Sequence, residues 1–71
     1  MKYLIAYKQS ENDYVYVKSI GNTISKTTAY YDAIDFLTYE DAKNVCNFIK
    51  EYEKSNDYVI IKYTYKFEEI K

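Results

Sequence analysis

The chain has no proline, histidine, arginine or tryptophan, and only one glycine and one cysteine. Each gap removes a class of protein. A lone cysteine, Cys46, cannot close an intramolecular disulfide, so a stapled secreted scaffold is excluded and a reducing cytoplasm is the expected compartment. Without histidine the usual general base and the commonest metal ligand are missing. Without arginine the chain lacks the side chain that grips phosphate in parallel hydrogen bonds. No glycine-rich phosphate loop is present, and the acids lack the spacing of a cation-binding loop. No metal site, no other cofactor and no catalytic residues are therefore expected. The apolar run from Tyr3 to Tyr7 is too short for a membrane span or a signal-peptide core, so no membrane association is expected. Charge of one sign is also lacking: ten lysines face eleven acids, for a net charge of −1. No long-range field then draws the chain toward phosphates or anionic lipid.

What is abundant is tyrosine, 11 of the 71 residues. Aromatic and β-branched residues at this density exclude a disordered chain. The length allows one domain, residues 1–71, of a size that buries only about 60% of its unfolded surface.

The pattern along the chain predicts β-β-β-α-β. A first strand is expected from Lys2 to Lys8, a hairpin loop over Gln9–Asp13, and a second strand from Tyr14 to Ile20. Gly21-Asn22 predicts a two-residue turn with glycine at positive φ, followed by a third strand over Thr23–Thr28 or, at its longest, to Tyr31; Tyr30, Tyr31, Ile34, Phe36 and Leu37 are expected to lead into the helix under the core. Thr38-Tyr39-Glu40-Asp41 is a capping-box pattern that starts a helix, with Glu40 and Asp41 at the positive end of its dipole. Ala42, Val45, Cys46, Ile49 and Tyr52 form its buried stripe, with Phe48 flanking. Cys46 on that stripe reads as a small core hydrophobe. Ser55-Asn56-Asp57 ends the helix, with Asn56 the expected left-handed residue. A long strand over Tyr58–Phe67 and a charged end, Glu68–Lys71, complete the chain. The expected fold is α+β: a mostly antiparallel sheet of three to four strands with one helix on one face.

One helix covers one sheet face, so the other should read polar. It does not. Small aliphatics (Leu4, Ala6, Val15, Val17, Val59, Ile61) alternate with a second set: Tyr3, Ile5, Tyr7, Tyr14, Tyr16, Tyr58 and Ile60. The alternation predicts aliphatics under the helix and an aromatic outer face. Tyr3, Tyr7, Tyr14, Tyr16 and Tyr58 are then candidates for a partner-binding face or a homodimer seam. Equally, tyrosine is how an A/T-rich genome fills a sheet: Lys, Asn, Ile and Tyr, with A/T-rich codons, supply 34 of the 71 residues. Lysines interleave with these rings, so a single-strand nucleic-acid binder using Tyr14, Tyr16, Lys18 and Lys62 is an alternative. A second candidate site is acidic. Asp32, Asp35, Glu40 and Asp41 fall in a stretch without lysine, which reads either as a solvated loop and helix start or as a patch complementary to a basic, nucleic-acid-binding groove.

The segment Ala33-Ile34-Asp35-Phe36-Leu37-Thr38-Tyr39-Glu40-Asp41-Ala42, the Met-Lys-Tyr strand before it and the aromatic strand ending in Glu-Glu-Ile after it carry a resemblance. In this layout the chain resembles small accessory proteins of phages and prophages of low-GC Gram-positive bacteria. The resemblance implies a non-enzymatic protein that binds and redirects a host protein, such as a nuclease, in the host cytoplasm. Inhibitors of host defence nucleases, anti-CRISPR proteins among them, are similar in size and in having a surface that blocks a partner.

Overall fold

The sheet is organised around its first strand, which pairs along both edges. The computed structural model describes residues 2–64 and 67–70, with 67–69 described by their backbone. Its elements are β1 (Lys2–Ser10), β2 (Asp13–Ile20), β3 (Ile24–Thr27), a 3-10 turn (Tyr30–Asp32), β4 (Asp35–Phe36), α1 (Tyr39–Glu53), β5 (Tyr58–Tyr63) and β6 (Phe67–Ile70). The strand order is β3-β2-β1-β5-β6, with β4 also paired to β1. Every pairing is antiparallel. The protein is thus an α+β domain, as its pattern predicts, with β4 and β6 as strands beyond those expected.

β1 is central because its middle is apolar on both faces: Leu4, Ile5 and Ala6 are all buried. One edge pairs with β5 from Lys2 to Tyr7. The other is shared, with β2 taking Ala6 to Ser10 and β4 taking Tyr3 and Leu4. The Ile34 amide donates to the Val17 carbonyl at 3.0 Å, seating β4 where β2 leaves β1. A bulge in β2 between Val17 and Ser19 adds one residue and switches the alternation. Val17 and Ile20 can therefore both pack into the helix-side core.

The helix starts as its sequence predicts. The Thr38 hydroxyl accepts from the Asp41 amide at 3.1 Å, and Glu40 and Asp41 lie in the first turn. Ala42, Cys46 and Ile49 are buried and Val45 half-buried, but Tyr52, expected on the buried stripe, is exposed beside Phe48 and stacks on it at 6.0 Å. Tyr52 also donates its hydroxyl to the Asn22 carbonyl at 2.9 Å, tying the helix end to the β2–β3 connection.

Four local expectations are corrected. The first loop is only Glu11-Asn12, because β1 and β2 stay paired to Ser10 and Asp13. Gly21 does not have positive φ; its amide instead donates to the Thr23 carbonyl at 3.2 Å across a three-residue connection. The left-handed residue is Lys54 (φ 52, ψ 48), not Asn56. The amides of Lys54 and Ser55 both close on the Lys50 carbonyl, which requires the reversal directly after the last helical turn. The long last strand breaks after Tyr63, and β6 folds back so that Ile70 pairs with Ile60 and packs against the core under the helix. Met1, Tyr65, Lys66 and Lys71, which the sequence places in the first strand, the last strand and the charged end, lie outside the described residues.

Candidate functional site

Register decides where the tyrosines go. Ala6 pairs with Tyr16, and Tyr7 pairs with both Val15 and Tyr58. Directly paired residues share a face, so Tyr3, Ile5, Tyr7, Tyr58 and Ile60 stand on one side and Leu4, Ala6, Tyr16, Val59 and Ile61 on the other. The helix covers the first set. Its core joins Ile5, Val17, Ile24, Ala42, Cys46, Ile49, Tyr58 and Ile60, with Tyr3 and Tyr7 packed against it. Tyr58 is only 1% exposed, and Tyr3 meets Tyr39 of the helix edge-on at 6.1 Å.

This corrects the expected aromatic outer face. Tyr3, Tyr7 and Tyr58 lie under α1, while Tyr14 and Tyr16 are half-buried on the opposite face, packed on Leu4, Ala6 and Ile61. The five do not form one surface. The physical reason is size matching. The helix presents small side chains at Ala42 and Cys46, and these leave room for rings beneath, whereas the small β1 residues suit the face covered by tyrosines and a loop.

The acidic set is divided too. Asp32 is exposed in the 3-10 turn. Asp35 pairs with Leu4, which puts it on the face away from the helix, and its carboxylate meets the Lys2 ammonium at 3.3 Å. Glu40 and Asp41 belong to the first turn of α1, over the other face. The four do not make one patch. Of the lysines named for strand binding, Lys18 is exposed on β2 while Lys62 is half-buried opposite Tyr3, on the helix side of the sheet and away from Tyr14 and Tyr16.

Two clusters escaped sequence reasoning. The first joins helix end to sheet. The Tyr58 hydroxyl donates to Glu53 Oε1, Lys26 Nζ lies 3.6 Å from the same carboxylate, and that ammonium sits over the Tyr7 and Tyr58 rings at 5.3 and 5.7 Å. Burial, then the hydrogen bond to Glu53, pushes the Tyr58 phenol far above its ordinary range. This is a structural clamp.

The second cluster lies on the face away from the helix. The 3-10 turn carries Tyr30 and Tyr31 across that face. The Tyr30 ring lies 5.3 Å from Tyr63 and 5.6 Å from Tyr31, tilted by 36° and 35°. With Lys2, Leu4, Ala33 and Asp35 these rings line a cavity of about 300 Å³. Tyr31 is 74% exposed and Tyr30 43%. A hydrogen bond between Tyr63 and Tyr30 side chains raises the Tyr63 phenol above its usual value. This corrects the expectation that Tyr30, Tyr31 and Leu37 lead under the core: all three are exposed, because the 3-10 turn carries the chain over the face away from the helix.

Another cavity, of about 310 Å³, opens between α1 and β5–β6, with Lys43 and Lys50 at its rim and Cys46 in its wall. Burial raises the Cys46 thiol above its ordinary value, with the Lys50 ammonium acting the other way. Among the described residues no cluster of His, Cys, Asp or Glu could hold a metal ion, and no helix is long and apolar enough to cross a membrane. Compared with known proteins, the chain matches no family model, no curated protein and no solved structure.

Proposed function

We propose that the chain is a small non-enzymatic binding protein, encoded by a phage or other mobile element and acting in the host cytoplasm. It docks on a host nucleic-acid-processing or defence protein and inhibits or modulates it. The observation that carries this reading is the corner where exposed Tyr30 and Tyr31 stand with Tyr63 beside the Asp35 carboxylate, with Asp32 exposed in the same turn as the two rings. A groove built for nucleic acid offers cations for phosphates and flat surfaces for bases. Carboxylates complement the first and tyrosine rings the second. Direct binding of single strands is the weaker reading, because Lys62 lies on the opposite face from Tyr14 and Tyr16 and the acid at this corner repels phosphate.

The test is retention of host protein from a low-GC Gram-positive lysate on the immobilised chain, compared with a Tyr31→Ala/Asp32→Lys variant. A protein held by the wild type, released by added duplex DNA and not held by the variant supports the proposal. Retention indifferent to both the DNA and the substitutions overturns it, as does tight binding of oligonucleotide by the chain itself.

A further inference from the structure

We infer that the cavity between Tyr30, Tyr31, Tyr63 and Asp35 is a socket for one arginine side chain of the partner. The inference rests on the reading that this corner docks on a basic protein surface, and it names the chemistry of the contact.

Size comes first. A cavity of about 300 Å³ is at the bottom of the range for small-molecule sites, so it suits a side chain better than a cofactor. Its floor is apolar, with Leu4 only 3% exposed. Three tyrosine rings line it, Tyr30 lying 5.3 Å from Tyr63 and 5.6 Å from Tyr31, and the faces of such rings attract a cation. Its rim carries one carboxylate, Asp35. Rings on the walls and a single acid at the rim are what a cation on an apolar stem requires.

The site already holds a cation. Lys2 Nζ lies 3.3 Å from Asp35 Oδ2, with the two side chains 55% and 43% exposed. An ion pair so open to water holds weakly, so Lys2 is a displaceable occupant. An ammonium is compact and strongly hydrated and makes point contacts. A guanidinium is planar, more weakly hydrated, stacks on aromatic faces and bonds a carboxylate through two parallel N–H donors. Arginine therefore displaces Lys2. A neutral aromatic group would use the rings but leave the Lys2–Asp35 pair intact, and a phosphate would meet Asp35.

The experiment is a titration of the isotopically labelled full chain with acetyl-Gly-Arg-Gly-amide, followed by amide chemical shifts, beside the same peptide carrying lysine or citrulline. Shifts are expected at Leu4, across Tyr30–Asp35 and at Tyr63, saturating for arginine, weaker for lysine and absent for citrulline. Asp35→Asn is expected to weaken binding by about two- to fivefold, the range of an ion pair at a carboxylate open to water. Tyr31→Ala, at an exposed ring, is expected to weaken it by about two- to fivefold. Lys2→Ala is expected to tighten it by removing the internal competitor. Equal shifts with citrulline, shifts centred on another surface, or a Lys2→Ala variant that binds no tighter each overturn the socket. A host protein retained equally by wild type and Asp35→Asn sinks the socket while leaving the docking proposal standing. Arginine binding with no host protein retained sinks the docking proposal alone.

Discussion

Replacing Tyr58 separates a covered tyrosine from an exposed one. Its ring is 1% exposed beneath α1, packed 5.1 Å from Tyr7, and its hydroxyl donates to Glu53. Removing a buried aromatic side chain costs about 3–5 kcal/mol through lost burial and the cavity left behind. At roughly 0.05–0.15 kcal/mol per residue, a domain of this size has about 4–11 kcal/mol in total, so Tyr58→Ala is expected to leave the protein marginal or unfolded. Tyr58→Phe keeps the ring and removes one hydrogen bond to a carboxylate, a bond worth about 1.5–3 kcal/mol. Glu53 is 31% exposed and keeps Lys26 at 3.6 Å, so water and the lysine compensate and the low end, about 1.5 kcal/mol, is expected. In a domain this small that loss lowers Tm by roughly 6–12 °C. Urea unfolding followed by far-UV circular dichroism measures both variants, with the denaturant slope unchanged for Phe because the same surface is exposed. If both substitutions stay within about 0.5 kcal/mol of wild type, as exposed positions do, Tyr58 does not lie under the helix and the assigned face is wrong.

The clamp also sets an alkaline limit. The Tyr58 phenol is raised by burial and by Glu53, so the folded state keeps its proton where the unfolded chain ionises, near pH 10. Its contribution is complete below about pH 10 and is lost as pH rises further. Urea midpoints should hold level up to that pH and then fall, less steeply in Tyr58→Phe; identical slopes would refute the linkage. Thr38→Ala removes the oxygen that accepts from the Asp41 amide at 3.1 Å and should cost about 1 kcal/mol by urea unfolding, whereas no change would show that water caps the helix equally well. Cys46 is buried and its thiol raised, so labelling by a disulfide reagent should be slow in the folded protein and fast in urea. Rapid labelling without denaturant would place the sulfur at the surface of the α1–β5 groove.

Local chemistry was legible wherever neighbours in sequence are also the interacting groups. The Thr38 cap, the α1 stripe through Ala42, Cys46 and Ile49, and the first three strands follow from patterns a few residues long. Lys54 was not legible, because lysine rarely takes a left-handed conformation and Asn56 nearby offered a better intrinsic fit; the hydrogen bonds from Lys54 and Ser55 to the Lys50 carbonyl decided the matter. The split of Tyr58–Phe67 into β5 and β6 was hidden for a related reason. Nothing in an unbroken apolar alternation marks a reversal, and the gain comes from Ile70 reaching the core beside Ile60.

Of the candidate sites, the acids and tyrosines could be named but not placed. Asp35 lines one cavity with Tyr30, Tyr31 and Tyr63, Asp32 is exposed in the turn that carries the first two rings, and Glu40 and Asp41 lie in the first turn of α1. By itself, the absence of histidine, arginine, proline and paired cysteine, together with alternating strands and one capped helix, determined a single α+β domain with two apolar sheet faces. Which face the helix covers was decided only in three dimensions. A strand with buried residues on both sides is symmetric to a pattern of period two, and that symmetry is broken by the fit of rings against Ala42 and Cys46. Once the helix took the side of Tyr3, Tyr7 and Tyr58, the loop carrying Tyr30 and Tyr31 closed the other side, and the cavity beside Asp35 followed.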